Sequence, residues 1–293
     1  MSTCYISDAI ASEPLTLKHL LPAAADEIVA GFGLDGLATL LPAPTPPSRP
    51  YVILNMVSTA DGHATLEGRS GPLSGPADRA LFHALRLAVD AVMAGAGTVR
   101  TERYGRIVPD AARRQTRVRR GQSEEPLACI VSGRLALEGE IPLLADPAAR
   151  VAILTPSAAS LPTGSVAAEV DYIRAARDGQ LDLAAALAEL RARFGVRTVL
   201  CEGGPHLNSQ LLGAGLVDEL FLSLSPLLAG GDPVSGEEAL RIVAGPSFSP
   251  PIALRLRGVL EHDSGLFLRY SVAGATPAAR VSRETTPSSS LAR

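Results

Sequence analysis

The segment Thr198-Val-Leu-Cys-Glu202-Gly203-Gly204-Pro205-His206-Leu207-Asn208 constrains the fold more than any other part of the chain. A β-branched, apolar run stops at an acid, two glycines and a proline, and a helical pattern then resumes. Glycine lets a backbone approach an anion with no Cβ in the way, and a helix start offers unpaired N–H groups. Glu202 then falls at the carboxyl end of a strand, where open α/β sheets bind ligands. Taken alone, the run is equally a plain tight turn into a helix.

The flanking chain narrows this. Asp182 to Phe194 is an amphipathic helix with Leu183, Leu187, Leu190 and Phe194 on one face and Gly195 as its stop. Followed at once by the Thr198 strand, it makes the strand–helix–strand unit from which parallel sheets are built. A second strand, Asp90 to Gly95, also runs into glycines, at Gly95-Ala-Gly97-Thr98-Val99. Two such transitions in one chain point to a dinucleotide. Leu127 to Val131 is a third, ending in Ser132-Gly133-Arg134, where hydroxyl, glycine and guanidinium suit one more phosphate.

Tyr51 to Val57, apolar on both faces, reads as a central strand. Ser58 to Ser74 is a polar loop in which Asp61-Gly62 is turn chemistry. Gly75-Pro76-Ala-Asp78 opens a helix whose apolar face is Leu81, Leu85 and Ala88, with Arg86 beside it as a solvated or salt-bridged residue. Between Arg100 and Arg120 lies a basic loop with Arg113, Arg114, Arg117, Arg119 and Arg120, read as a solvated face or, alternatively, a phosphate contact. Further strands are expected at Val151–Thr155, Val166–Ile173 and Asp218–Ser225. A hairpin of Ile252–His262 and Leu266–Val272 closes the set.

Residues 1–48 read as an appendage with helical spacing in places from Leu15 to Leu41, then a proline-rich linker. Residues 273–293, rich in Ser, Thr, Pro and Arg, read as a disordered tail. A net charge of -3 argues against nucleic acid as a partner. Cys4, Cys129 and Cys201 are too scattered for a zinc site or a disulfide framework, and no metal is expected. With no signal peptide and no apolar run of bilayer length, the expected location is the cytoplasm, away from membranes.

Four motifs in order are similar to a known family: Arg49-Pro-Tyr with Ser58-Thr-Ala-Asp61-Gly62, Gly95-Ala-Gly-Thr98-Val-Arg100, Glu202-Gly-Gly-Pro205, and Leu216-Val-Asp218-Glu219-Leu. Over residues 49–272 the chain resembles the reductase domain of the riboflavin-biosynthesis deaminase–reductases, in its stand-alone branch. The resemblance implies a dihydrofolate-reductase-like α/β fold: a mostly parallel central sheet, helices on both faces and a C-terminal antiparallel hairpin. It also implies a homodimeric, NADPH-dependent reductase of a phosphorylated aminopyrimidine, 5-amino-6-(5-phosphoribosylamino)uracil, to its ribityl form.

Carried over by position, Val57, Gly97, Thr98, Glu102 and the turn of Gly203, Gly204, Pro205, His206, Leu207 and Asn208 contact the cofactor. Ser132, with Arg134, lies near its 2′-phosphate. Asn55, Ser70, Arg86 and Arg106 face the substrate. Glu202 accepts pyrimidine N–H groups or manages a proton, and Asp61 orders the loop over the site. The deaminase half's zinc motif is absent, so no deamination is expected. Asn55 stands where the fused enzymes typically carry lysine, and this motivates a second expectation, reduction of a pterin such as dihydrofolate. A third, of another class, is a nucleotide-binding module without catalysis.

Overall fold

The computed structural model of the protein describes residues 3–6, 15–19, 48–137, 141–162, 164, 166–231 and 240–273. In chain order the elements are β1 (Thr3–Ile6), β2 (Leu15–His19), β3 (Tyr51–Thr59), α1 (Pro76–Ala88), β4 (Ala91–Gly95), α2 (Ala96–Thr101), α3 (Ala111–Arg119), β5 (Leu127–Val131) and α4 (Pro142–Ala145). There follow β6 (Arg150–Thr155), β7 (Glu169–Arg174), β8 (Ala176–Arg177), β9 (Gln180–Leu181), α5 (Leu183–Phe194), β10 (Thr198–Cys201), α6 (Pro205–Gly213), β11 (Glu219–Ser225), β12 (Leu254–His262) and β13 (Gly265–Val272).

All but β8 and β9 join one sheet in the order β1-β2-β12-β13-β11-β3-β10-β4-β5-β6-β7. From β11 to β7 every pairing is parallel, so these strands deliver their carboxyl ends to one edge. From β11 outward through β13, β12, β2 and β1 the pairings are antiparallel. This is the expected mostly parallel sheet with its C-terminal hairpin. Burial explains the split. The short parallel strands are apolar on both faces, as Val199, Leu200 and Cys201 of β10 show by being fully buried. One face packs on Leu81, Leu85 and Val99 of α1 and α2. The other packs on Leu187 and Leu190 of α5 and Leu211 of α6. Each such leucine contributes about 1.5–3 kcal/mol by leaving water.

Local signals set the helix ends. Gly75 caps α1 with Pro76 in its first turn. Asp182 accepts from the Ala185 N–H at the start of α5, and Gly195 ends it in the left-handed conformation.

Two expectations need correction. Leu15–His19 is a strand, β2, that pairs with β12 rather than helical chain in a separate appendage; the rest of Leu15–Leu41, and the proline-rich linker but for its end, lie outside the described residues. The expected tail lies outside them too, apart from Ala273. The Arg100–Arg120 loop contains a helix, α3, capped by the Asp110 side chain. Its Arg117 is buried and donates to the carbonyls of Arg86, Leu87 and Val89 at the end of α1. Spacing of charge alone does not show that one of five arginines turns inward to satisfy a neighbouring helix.

Candidate active site

The register fixes the site. Cys201 pairs with Leu54 of β3 and Met93 of β4, so the next residues, Asn55, Ala94 and Glu202, lie at one level where the strands end. There the chain turns through Gly203, at φ 97, and the Gly203–Gly204 peptide is cis. The Gly95 N–H donates to the Gly203 carbonyl at 2.8 Å, locking the two glycine-ended strands together. A Cβ on Gly204 would lie 3.0 Å from Thr98 Oγ1. The close approach therefore favours glycine, since any Cβ here would press on the Thr98 hydroxyl. Helix α6 starts at Pro205 with no side chain capping its first turn, leaving N–H groups for an anion.

A cavity of about 1160 Å³ opens over this rim. It exceeds the range of about 300–1,000 Å³ usual for one small ligand. Asn55, Val57, Ser70, Arg86, Gly97, Thr98, Glu102, Arg134 and the whole of Glu202 to Asn208 line it.

Glu202 forms the cavity wall. Its carboxylate accepts from Arg86 Nε at 2.7 Å on Oε1 and from Arg86 Nη2 at 2.7 Å on Oε2. The Tyr104 hydroxyl donates to Oε2 at 2.6 Å. Arg86 also donates to the Ile107 carbonyl and lies over the Phe82 ring. Burial opposes the Arg86 charge, but the Glu202 carboxylate overrides it and raises its pKa above the usual arginine range. Burial first, then the Glu202 charge, pushes the Tyr104 phenol well above its ordinary value. Tyr104 is not among the residues singled out from the sequence, where its only signal is its place between Glu102 and Arg106 in Glu-Arg-Tyr-Gly-Arg.

Other side chains are placed differently from expectation. Asp61 does not line the cavity; it accepts from Thr59 Oγ1 and from the N–H groups of Ala229 and Gly230, tying two turns together. The Thr59 hydroxyl, then the backbone donors, hold its pKa below the usual carboxylate range. Arg106 is also outside the lining, paired with Glu125 at 2.8 Å. Ser132 is buried behind the rim, its N–H on the Leu154 carbonyl, so only Gly133 and Arg134 of that group reach the cavity. Glu102 turns its carboxylate to the Ser70 N–H and hydroxyl. Asn208, nearly inaccessible, donates to the Ile242 carbonyl at 2.7 Å and so fastens residues 240–242 across the cavity.

Arg134 and Asn55 are among the polar groups left for ligands. Among the described residues no hydrogen bond or ion pair holds the Arg134 guanidinium or the Asn55 carboxamide, and Asn55 Oδ1 is buried without a partner. Buried polar atoms are normally paired, so this one marks a place for a ligand donor. Cys201 is a buried thiol pushed up to about 12 by burial, hence unreactive. Among the described residues no cluster of three or more metal-binding side chains occurs, and no helix is long and apolar enough to cross a membrane.

Fold and site together define an α/β protein with a glycine-lipped cleft at the carboxyl ends of its parallel strands. Residues 50–268 match the model of the RibD C-terminal domain, and the chain belongs to that family. A 2,5-diamino-6-ribosylamino-4(3H)-pyrimidinone 5′-phosphate reductase from Methanothermobacter thermautotrophicus is 28% identical over 229 residues, 77% of this chain and 100% of that protein. One of the same name from Archaeoglobus fulgidus is 30% identical over 184 residues, 62% of this chain and 83% of that protein. A crystal structure of a pyrimidine reductase-like protein from Corynebacterium diphtheriae superposes with a TM-score of 0.64 at 26% identity, covering 80% of this chain and 98% of the other. The family and the printed names of these relatives agree with the reductase that the resemblance implied.

Proposed function

We propose that residues 49–272 form an NADPH-dependent reductase that converts the ribosyl group of a ribosylaminopyrimidine 5′-phosphate to its ribityl form. The observation that carries this is one continuous cavity running from Arg134, past the Thr98–Gly204 contact, to Glu202 and Asn55. Its volume of about 1160 Å³ suits a dinucleotide and a substrate side by side. The unpaired Arg134 guanidinium suits the 2′-phosphate that separates NADPH from NADH. The glycine rim and the uncapped start of α6 suit the pyrophosphate. When bound, the reduced nicotinamide supplies a hydride to the substrate.

The chain's own residues hold the ring. Glu202, an acceptor fixed by Arg86 and Tyr104, takes ring N–H groups. The unpartnered Asn55 Oδ1 takes an amino hydrogen. That neutral acceptor favours the diamino ring, the form in the archaeal relatives' names, over the uracil form. With Arg86 paired to Glu202 and Arg106 to Glu125, the substrate phosphate falls to other cations at the cavity, of which Arg79 is one. The family expectation of a cytoplasmic homodimer goes with this reading.

A substrate panel followed by nicotinamide absorbance tests it. Turnover should be highest with the diaminopyrimidinone, lower with the uracil and absent with dihydrofolate. Glu202→Gln should lower kcat by about 10²–10⁴-fold and leave NADPH affinity intact. NADPH left unoxidised with both pyrimidines overturns the substrate. Oxidation with dihydrofolate alone establishes the pterin reading, and binding without any turnover the non-catalytic one.

A further inference from the structure

Glu202 is held from two sides by different chemistry. Arg86 grips both oxygens in the plane of the carboxylate, with N–O distances of 2.7 Å. A bidentate pair alone fixes charge and plane, but it leaves the pair free to pivot together about the arginine's long side chain. The third donor comes from elsewhere in the chain. Tyr104 stands three residues beyond α2, with its backbone fastened on both sides: its N–H donates to the Val99 carbonyl at 3.0 Å and its carbonyl accepts from the Leu143 N–H at 2.8 Å. Its hydroxyl reaches Oε2 at 2.6 Å, and its ring lies 5.5 Å from the Arg86 guanidinium carbon. The tyrosine lines the cavity, whereas the Glu202 side chain is only 2% exposed.

We propose that Tyr104 is a positioning residue: its hydroxyl, donating to Glu202 Oε2, fixes which way the carboxylate presents its remaining lone pairs to the substrate ring. Because α2 carries Thr98 of the cofactor rim, Tyr104 also ties the orientation of the ring acceptor to the element that borders the cofactor. The inference rests on the proposed reaction for its kinetic consequence but not for its geometry.

The test is a double-mutant cycle of Tyr104→Phe and Glu202→Gln, with NADPH affinity and thermal unfolding of each variant measured alongside. Tyr104→Phe alone should lower kcat with the diaminopyrimidine by about 10-fold or more, the scale of one hydrogen bond to a charged group, at nearly unchanged KM for NADPH. In the Glu202→Gln background the same change should cost less than 2-fold, because the hydroxyl acts through the carboxylate. Equal losses in both backgrounds, or wild-type kcat in Tyr104→Phe, overturn the proposal.

A second readout needs no substrate. The ultraviolet titration of Tyr104, taken as the difference between wild type and Tyr104→Phe, is raised first by burial and then by the Glu202 charge, and should move to lower pH in Glu202→Gln, where that charge is gone. An unmoved titration overturns the contact itself. A wild-type enzyme inactive on both pyrimidines refutes the substrate instead, and the titration then decides Tyr104.

Discussion

Two arginines, Arg86 and Arg117, are both buried and lie next to each other in space, yet they occupy opposite electrostatic settings. Arg86 faces a carboxylate and an aromatic ring at the cavity wall. Arg117 faces carbonyls: those of Arg86, Leu87 and Val89 at the end of α1, and that of Ser123. The result is opposite shifts. Burial alone would lower both, and it does lower Arg117 to about 10, while the Glu202 charge raises Arg86. A buried guanidinium among carbonyls closes a helix end. One that fixes an acid at the end of a central strand builds a reactive wall.

Removing each cation should therefore produce different damage. Arg86→Met leaves Glu202 buried with Tyr104 as its remaining side-chain donor, and breaking a buried ion pair from one side costs about 3–5 kcal/mol. It should also lower kcat by about 100-fold or more, since the ring acceptor loses its plane. Chemical denaturation and steady-state kinetics check both. A stable variant with normal turnover breaks the distinction between the two arginines.

Arg117→Met breaks no direct ion pair among the described residues, though Asp90 and Glu125 lie near enough to act on its charge, but it strips several carbonyls of their donor, at about 3 kcal/mol. Its effect should be confined to stability. The midpoint of unfolding falls, while kcat and the KM for NADPH at 25 °C stay within about 2-fold of wild type. A catalytic loss comparable to that of Arg86→Met would show that the end of α1 and the cavity wall act as one unit.

The same contrast explains what could be read in advance. Tyr51–Val57, Leu127–Val131 and Thr198–Cys201 were legible because a strand buried on both faces has a composition few other elements share. Gly203 and Gly204 were legible because a left-handed φ and a close backbone approach both favour glycine. Side-chain pairing was not. Nothing in the chain's order says that Arg86 meets a residue 116 positions away, or that Arg106 turns to Glu125 instead of the cavity. The inward turn of Arg117 depends on where α1 ends, a tertiary fact. Leu15–His19 alternates as Leu-Thr-Leu-Lys, but so short a run does not separate strand from helix, and its pairing with β12 is a tertiary fact.

Asp61 supplies the smallest effect and the counterpart of Arg117: an exposed anion held by the Thr59 hydroxyl and the Ala229 and Gly230 N–H groups, with His63 Nδ1 3.3 Å away. Its carboxyl, lowered by the Thr59 hydroxyl and then by backbone N–H groups, is ionised more readily in the folded state than in the unfolded chain. A carboxyl lowered by folding contributes stability above its unfolded pKa and loses it as pH falls through the folded value. Asp61→Asn should thus unfold at a lower temperature than wild type near pH 7, by a small margin set by solvent screening. The gap should narrow once pH drops below the ordinary aspartate range. Melting curves of both proteins across that range measure it, with turnover of Asp61→Asn staying within a few-fold of wild type because Asp61 stands outside the cavity lining. If the gap instead widened toward acid, the Ala229 and Gly230 donors would not be what holds this carboxylate. Neutral partners would then be shown to govern only the buried charge.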